Sequence, residues 1–300
     1  MSLEVGIVGL PGTGKSTLFT ALTGAAAEQY GTAHVGMAPI PDDRLAEVAR
    51  IIGSPKTTSA SIRVLDLPGT ASAQLGAARA ADALVAVVSD ESELESLKLE
   101  LLVADRDHVE RRLEKVRHDA KSGDPKLRAE VEELERVLAH LDAERPLDEY
   151  EDALPPELEP LTTKPLVPVV NGPGGIDLKL EAELAELPPE DAAAFRDGEP
   201  SALDELVRRL QDSLDLLTFF TANENEARAW TLRRGQTALE AAGTIHTDMA
   251  RGFIRCEVVH WRDLAEAGSR AEASRRGLQR LEGKEYVVED GDLLNVRFHV

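Results

Sequence analysis

The chain has 300 residues, 42% hydrophobic and 30% charged, enough apolar material for a packed core and unlike a disordered sequence. Its 55 acidic and 34 basic side chains give a formal charge of −21. So acidic a surface repels phosphate backbones at long range and excludes a broad, sequence-independent nucleic-acid binder. The single cysteine, Cys256, excludes an intramolecular disulfide framework and a cysteine-based zinc cluster, and reads as a packed core residue.

The length suits two domains, or one domain with a sizeable insertion. No run approaches the roughly 18 apolar residues that span a bilayer. Met1 to Val8 carry no basic leader pattern. The expectation is a soluble, cytoplasmic protein without membrane or DNA partners.

Leu3 to Val8 is a short apolar segment of the kind buried in a parallel sheet. Gly9-Leu10-Pro11-Gly12-Thr13-Gly14-Lys15-Ser16 follows, and then Thr17 to Leu22 at helical spacing. Further buried strands are expected at Ile62 to Leu65, Ala83 to Val88 and Leu166 to Val170. Helical patterns lie between them, so the first two hundred residues read as an α/β, doubly wound, mostly parallel sheet.

That domain is interrupted from about Glu93 to Arg145. Leu102, Val109, Leu113, Val116 and Ala120 line one helical face, and Leu127, Val131, Leu134, Leu138 and Leu141 another. Between them, Ser122-Gly123-Asp124-Pro125 supplies a helix-ending Gly, an Asp N-cap and a Pro at the first helical position. The expectation is an antiparallel helical hairpin, with Pro146 to Pro165 as the return linker. Beyond Leu217, Ala227 to Leu232 and Phe253 to Val259 read as strands. Tyr286-Val287-Val288, the turn Glu289-Asp290-Gly291-Asp292 and the alternating Leu294 to Val300 read as a terminal β-hairpin. The expected domains are 1–92 with 160–215, the hairpin at 93–148, and 217–300.

Gly9 to Ser16 matches G-x-x-x-x-G-K-[ST] in full, after an expected strand and before an expected helix. In such a loop the backbone N–H groups and the helix N-terminus cradle phosphate oxygens. Lys15 bridges the β- and γ-phosphates and the Ser16 hydroxyl ligates Mg²⁺. The expected nucleotide contacts are therefore Pro11, Gly12, Thr13, Gly14, Lys15, Ser16 and Thr17. Asp66-Leu67-Pro68-Gly69 follows the next strand; Asp66 suits a magnesium position and the Gly69 amide a γ-phosphate contact. Thr32 is the best-placed threonine to complete the metal shell.

Asn171 follows the strand Leu166 to Val170, where GTPases carry N-K-x-D. Here Gly172 replaces the Lys and Gly174 the Asp that rewards guanine. The penalty against adenine is thereby lost, and ATP or weak discrimination is expected.

Taken together, these residues resemble the Obg-like ATPases of the YchF group over most of the chain. Gly6-Ile7-Val8-Gly9-Leu10-Pro11 with Gly14-Lys15-Ser16-Thr17-Leu18-Phe19 resembles that family's N-terminal signature. Pro39-Ile40-Pro41-Asp42 with Arg44-Leu45 is similar to the segment after its first switch, and the hairpin lies where it inserts a coiled coil. Phe220-Thr221-Ala222, Glu226-Ala227-Arg228-Ala229-Trp230-Thr231, and Ala241-Ala242-Gly243-Thr244-Ile245-His246-Thr247-Asp248 resemble its TGS domain, a β-grasp module. So do Gly252-Phe253-Ile254-Arg255, Gly283-Lys284-Glu285-Tyr286 and Asp290-Gly291-Asp292.

The resemblance implies a P-loop nucleotide hydrolase that prefers ATP to GTP, uses Mg²⁺ and associates with ribosomes. Three departures stand out. Gly174 replaces the Glu of the family's N-x-x-E. The second switch is short and no histidine lies between Asp66 and His108, although the family has one there proposed for catalysis. In the first switch an ungapped match puts Tyr30 at the family's threonine, and Thr32 serves only with two residues deleted. No catalytic residue can be named on this basis.

The reading is an ATP-binding switch, with GTP as the second candidate nucleotide, hydrolysing slowly and engaging ribosomes or ribosomal RNA through the hairpin tip and the TGS domain. A non-hydrolysing nucleotide-bound adaptor and a small-molecule kinase are the alternatives. The tip reverses the overall charge: Arg106 to Arg128 holds eight basic and five acidic side chains, which suits either a solvated helix face or an RNA-facing end. His246 with Asp248 and Arg251 reads as a surface loop rather than a metal site. Trp230 and Trp261 read as packing residues.

Overall fold

The computed structural model describes residues 3–25, 34–67, 71–197 and 199–299. In chain order its elements are β1 (Glu4–Val8), α1 (Lys15–Thr23), β2 (His34–Pro39), α2 (Arg44–Ile52), β3 (Lys56–Thr58) and β4 (Ser61–Asp66). There follow α3 (Ala71–Ala78), β5 (Ala83–Val88), α4 (Glu91–Asp119), α5 (Pro125–Asp142), β6 (Leu166–Val170), α6 (Leu178–Ala185), α7 (Pro189–Phe195) and α8 (Ala202–Ser213). The rest are β7 (Leu216–Ala222), β8 (Glu226–Arg233), α9 (Ala238–Ile245), α10 (Thr247–Arg251), β9 (Phe253–His260), α11 (Trp261–Ala267), α12 (Arg270–Arg275), β10 (Arg280–Glu282) and β11 (Asp292–Phe298).

These form two compact units. One comprises Leu3–Gly36 with Arg63–Glu199, and the other Met37–Ile62 with Pro200–Val300. In the first, the sheet runs β2-β4-β1-β5-β6. β1 is parallel to β4 and β5, and β5 is parallel to β6. The α/β, doubly wound expectation holds. β5, Ala-Leu-Val-Ala-Val-Val, is buried at every position, because helices cover both faces of such a sheet. From β1 the chain passes to β2 and β4 on one side and then to β5 and β6 on the other. The crevice at the carboxyl ends of the strands around that reversal is where this fold binds ligands.

The helical hairpin is α4 and α5. Gly123 sits left-handed at φ 90 and ends the first arm. The Asp124 carboxylate accepts from the Lys126 N–H and Pro125 opens the second arm. Leu102, Val109, Leu113 and Val116 pack with Leu134, Val137 and Leu141. The return segment is more than a linker: Leu147 and Leu158 are buried in the same core. It is fastened by Asp105, whose fully buried carboxylate takes hydrogen bonds from Arg79 at 2.6 Å, from the Leu161 and Thr162 backbone N–H groups, and from the Thr162 hydroxyl.

The second unit is built on a sheet of order β10-β9-β11-β7-β8-β3. β7 and β8 form an antiparallel pair, and β11 runs parallel to β7 and antiparallel to β9. α9 packs Ala238 and Ala241 onto Leu217, Phe219, Cys256, Val258 and Leu294, the β-grasp arrangement expected. Burial pushes the Cys256 thiol up to about 12, so it is an inert packing residue. Trp230 stacks on Phe219 with ring centroids 6.4 Å apart, and its indole N–H donates to the Thr221 hydroxyl at 2.9 Å.

One expectation is corrected. The terminal hairpin does not form. Val287 makes only an isolated bridge with Thr237, and β11 enters the middle of the sheet between β9 and β7. The turn before it is spent on β7: Gly291 N–H donates to the Thr218 carbonyl, and the Asp290 carboxylate accepts from Thr218 N–H. By contact, residues 37–62 group with 200–300 in the second unit. β3 pairs in parallel with β8, and Arg44 at the start of α2 bonds Asp290. Both partnerships are too distant in sequence for any local pattern to reveal.

Candidate functional site

The glycine-rich loop lies between β1 and α1, at the carboxyl end of a central strand. α1 begins without a side-chain cap and without an acidic residue in its first turn. Its leading N–H groups and the positive end of its dipole are thus left for an anion. Where a β-carbon on Gly12 would stand, no atom comes within 4 Å, so the loop's crest has open space beside it. Thr13 steadies the loop from below, its hydroxyl donating to the Leu10 carbonyl at 3.0 Å. Pro11 and Gly12 are exposed, and Thr17 is half-buried in the first turn.

Lys15 folds back over the loop, donating to the carbonyls of Gly9 at 2.9 Å and Leu10 at 2.7 Å. Burial lowers its pKa, partly offset by the carboxylates of Asp66 and Glu93. The Ser16 hydroxyl donates to Asp66 Oδ2 at 2.8 Å. Asp66 ends β4 and is buried. Chain segments fifty residues apart thus bring a hydroxyl and a carboxylate together, a donor set of hard oxygens of the kind magnesium takes. Thr32 and Gly69 lie outside the described residues.

Asn171 reaches the same loop from the end of β6. Its Nδ2 donates to the Thr13 carbonyl at 2.8 Å, and its Oδ1 accepts from Leu178 N–H at 3.4 Å. Gly14 makes this approach feasible, since a β-carbon there would stand 2.7 Å from Asn171 Nδ2. The amide therefore bridges the loop to α6. Beyond it, Gly172 to Gly175 close a tight loop, with Gly175 N–H on the Gly172 carbonyl at 3.0 Å and Ile176 N–H on Val170 at 2.8 Å. Gly174 sits at φ 84, a conformation that disfavours any side chain able to read a base edge.

His34 is the residue that motif reading overlooked. It opens β2, its Nδ1 stands 3.7 Å from Asp66 Oδ2, and its ring lies 6.0 Å from that of Phe19 on α1. No motif includes it; only the pairing order of the sheet brings it to Asp66.

At the hairpin, three of the eight cations bind the arms to each other: Arg106 to Asp142, Arg112 to Glu130 and Arg117 to Glu135. Lys115, Lys121, Lys126 and Arg128 are exposed. His246 accepts from Asp248 N–H at the start of α10, and Asp248 pairs with Arg251, a local capping arrangement. No helix is long and apolar enough to cross a membrane among the described residues.

A family model described as a 50S ribosome-binding GTPase matches residues 4–128. A second, YchF-GTPase_C, described as a protein of unknown function (DUF933), matches residues 216–299. The chain is 35% identical to the ribosome-binding ATPase YchF of Bacillus subtilis, covering all of both chains. It is 32% identical to that of Escherichia coli O157:H7, again in full. Obg-like ATPase 1 of Gallus gallus is 29% identical, over 99% of this chain and 93% of that one. Among solved structures, the YchF GTPase of Schizosaccharomyces pombe superposes with a TM-score of 0.81 at 26% identity, covering 99% of this chain and 98% of that one.

Proposed function

The chain belongs to the YchF family, and from that membership we propose that it is an ATP-binding, ribosome-associated switch that uses Mg²⁺ and turns nucleotide over slowly in the cytoplasm. The observation that carries the reading is the Ser16–Asp66 contact at 2.8 Å beside an uncapped helix N-terminus. In this reading the loop amides from Gly12 to Thr17 hold the phosphates. Lys15 exchanges the Gly9 and Leu10 carbonyls for β- and γ-phosphate oxygens, a change from neutral to charged acceptors that strengthens each bond. Ser16, Asp66 and Thr32 would hold Mg²⁺, which would supply charge neutralisation at the phosphates, and the Gly69 amide would contact the γ-phosphate. Pro11 shapes the loop entrance.

ATP is favoured over a strict guanine preference because Gly174 offers no carboxylate to guanine N1–H and N2–H₂. The relatives named as ribosome-binding ATPases support both the nucleotide and the partner. The exposed cations at the hairpin tip, on a chain of charge −21, supply a surface that a ribosomal phosphate backbone would attract. The second unit supplies the other contact.

Side-by-side ATP and GTP binding and hydrolysis, with and without ribosomes, tests the reading. Lys15→Ala is expected to weaken ATP binding roughly 10- to 100-fold, as for loss of charge-assisted hydrogen bonds; unchanged affinity overturns it. A non-hydrolysing adaptor is the second reading, favoured by the short interval between Asp66 and the start of α3 at Ala71. ATP turnover well above that of Lys15→Ala excludes it.

A further inference from the structure

We propose that His34 is a positioning residue for magnesium, acting through Asp66 by holding the Oδ2 that Ser16 also contacts. This rests on the reading of Ser16 and Asp66 as the magnesium pair.

An ionised carboxylate offers about four acceptor sites, and a buried one that is short of donors is costly and loosely oriented. Asp66, with its side chain only 7% exposed, receives the Ser16 hydroxyl on Oδ2 at 2.8 Å. His34 Nδ1 stands 3.7 Å from that same oxygen, slightly beyond hydrogen-bond range. Its ring centroid lies 6.0 Å from that of Phe19, and its backbone opens a strand of the sheet that β4 also joins. A shift of well under 1 Å makes it a donor, the kind of tightening that accompanies ligand binding at such sites. Two donors on Oδ2 would orient the carboxylate and leave Oδ1 available to the metal shell. Outer-shell partners of this kind set ligand orientation at metal centres, and their loss typically costs roughly 10–100-fold in metal affinity.

The imidazole also packs, so the test must separate donor from ring. His34→Phe keeps an aromatic ring against Phe19 and removes the donor. His34→Asn places an amide N–H near the position of Nδ1 and removes the ring. The readout is the Mg²⁺ concentration that half-saturates tightening of a fluorescent ATP analogue on the full chain, beside the affinity for that analogue without Mg²⁺. For His34→Phe the half-saturating Mg²⁺ is expected to rise roughly 10–100-fold, with Mg²⁺-free affinity unchanged. His34→Asn is expected to stay close to the parent. His34→Leu makes the same test should the phenylalanine not be accommodated.

A parent-like Mg²⁺ requirement in the donor-free variant overturns the proposal, as does an Asn variant impaired as much as Phe, which would make the role packing. Ser16→Ala and Asp66→Asn separate the two levels. If they shift the Mg²⁺ requirement and His34→Phe does not, His34 alone is misassigned. If neither shifts it, the magnesium reading fails and the His34 role with it.

Discussion

Arg44 and Asp290, 246 positions apart in the chain, meet at 2.6 Å through guanidinium and carboxylate. Arg44 also grips Asp42 at 2.7 Å and lies over the Phe220 ring, while Asp290 accepts from Thr218 N–H at 2.9 Å. The contact locks the start of α2 to β7 and to the turn that leads into β11.

Burial works to raise the Asp290 pKa, but the hydrogen bonds from Arg44 and Thr218 outweigh it, and the carboxyl titrates below its ordinary value. A depressed carboxylate contributes stability in full above its unfolded pKa, about 3.9, and loses it as pH falls through the folded value. Denaturant midpoints of the parent are therefore expected to drop from about pH 4 downwards, and those of Asp290→Asn to drop less steeply. At pH 7 the substitution is expected to cost on the order of 1 kcal/mol, a figure kept small by a side chain 38% exposed to solvent. A parallel acid limb in the two proteins would refute this.

Asp105 is the more expensive residue to change. Its side chain is fully buried and Arg79 is 10% exposed, so Asp105→Ala strands a guanidinium and the Leu161 and Thr162 N–H groups without their acceptor. The expected loss is about 3–5 kcal/mol by chemical denaturation. Replacing both partners with leucine is expected to lose less than the single change, since no unpaired charge is left behind. A double-mutant cycle checks the difference.

Asn171→Ala is expected to weaken ATP and GTP binding alike, by roughly five- to tenfold, the value of one hydrogen bond to the loop. The amide's partners are the Thr13 carbonyl and Leu178 N–H, so its removal relaxes the loop without changing the choice of base. Calorimetry with both nucleotides decides, and a shift in their ratio would make Asn171 a base-reading residue instead.

Charge reversal of Lys115, Lys121, Lys126 and Arg128 is expected to abolish salt-sensitive ribosome co-sedimentation while leaving the thermal midpoint in place. For every phosphate that the tip no longer neutralises, the slope of log affinity against log salt should fall by about 0.7–0.9. Reversing Arg112 or Arg117 instead breaks the bridges to Glu130 and Glu135, and is expected to loosen the hairpin itself.

The loop from Gly9 to Ser16 and the hairpin break at Gly123-Asp124-Pro125 were legible because each is set by neighbours in sequence: backbone conformation, a cap, a helix start. The buried strands were legible for the same reason, being short apolar runs. His34 was not, because its meaning depends on Asp66, which only strand pairing brings near. Nor was the path of β11. Its alternating pattern says that one face is buried, but an antiparallel neighbour in sequence and a parallel one in space produce the same alternation. Asp290 looked like turn chemistry, and its bond to Arg44 is visible only once the chain has closed.

Met37–Ile62 and Pro200–Val300 make one unit out of two stretches separated by most of the other. No single cut therefore releases either unit intact. A fragment starting at residue 200 would lack the edge strand β3 and the arginine that neutralises Asp290, and one ending before it would keep α2 and β3 with nothing to pair against. Gene fusions, truncations and recombination events that treat the two as beads on a string should yield insoluble halves. Any graft that works must carry both pieces together.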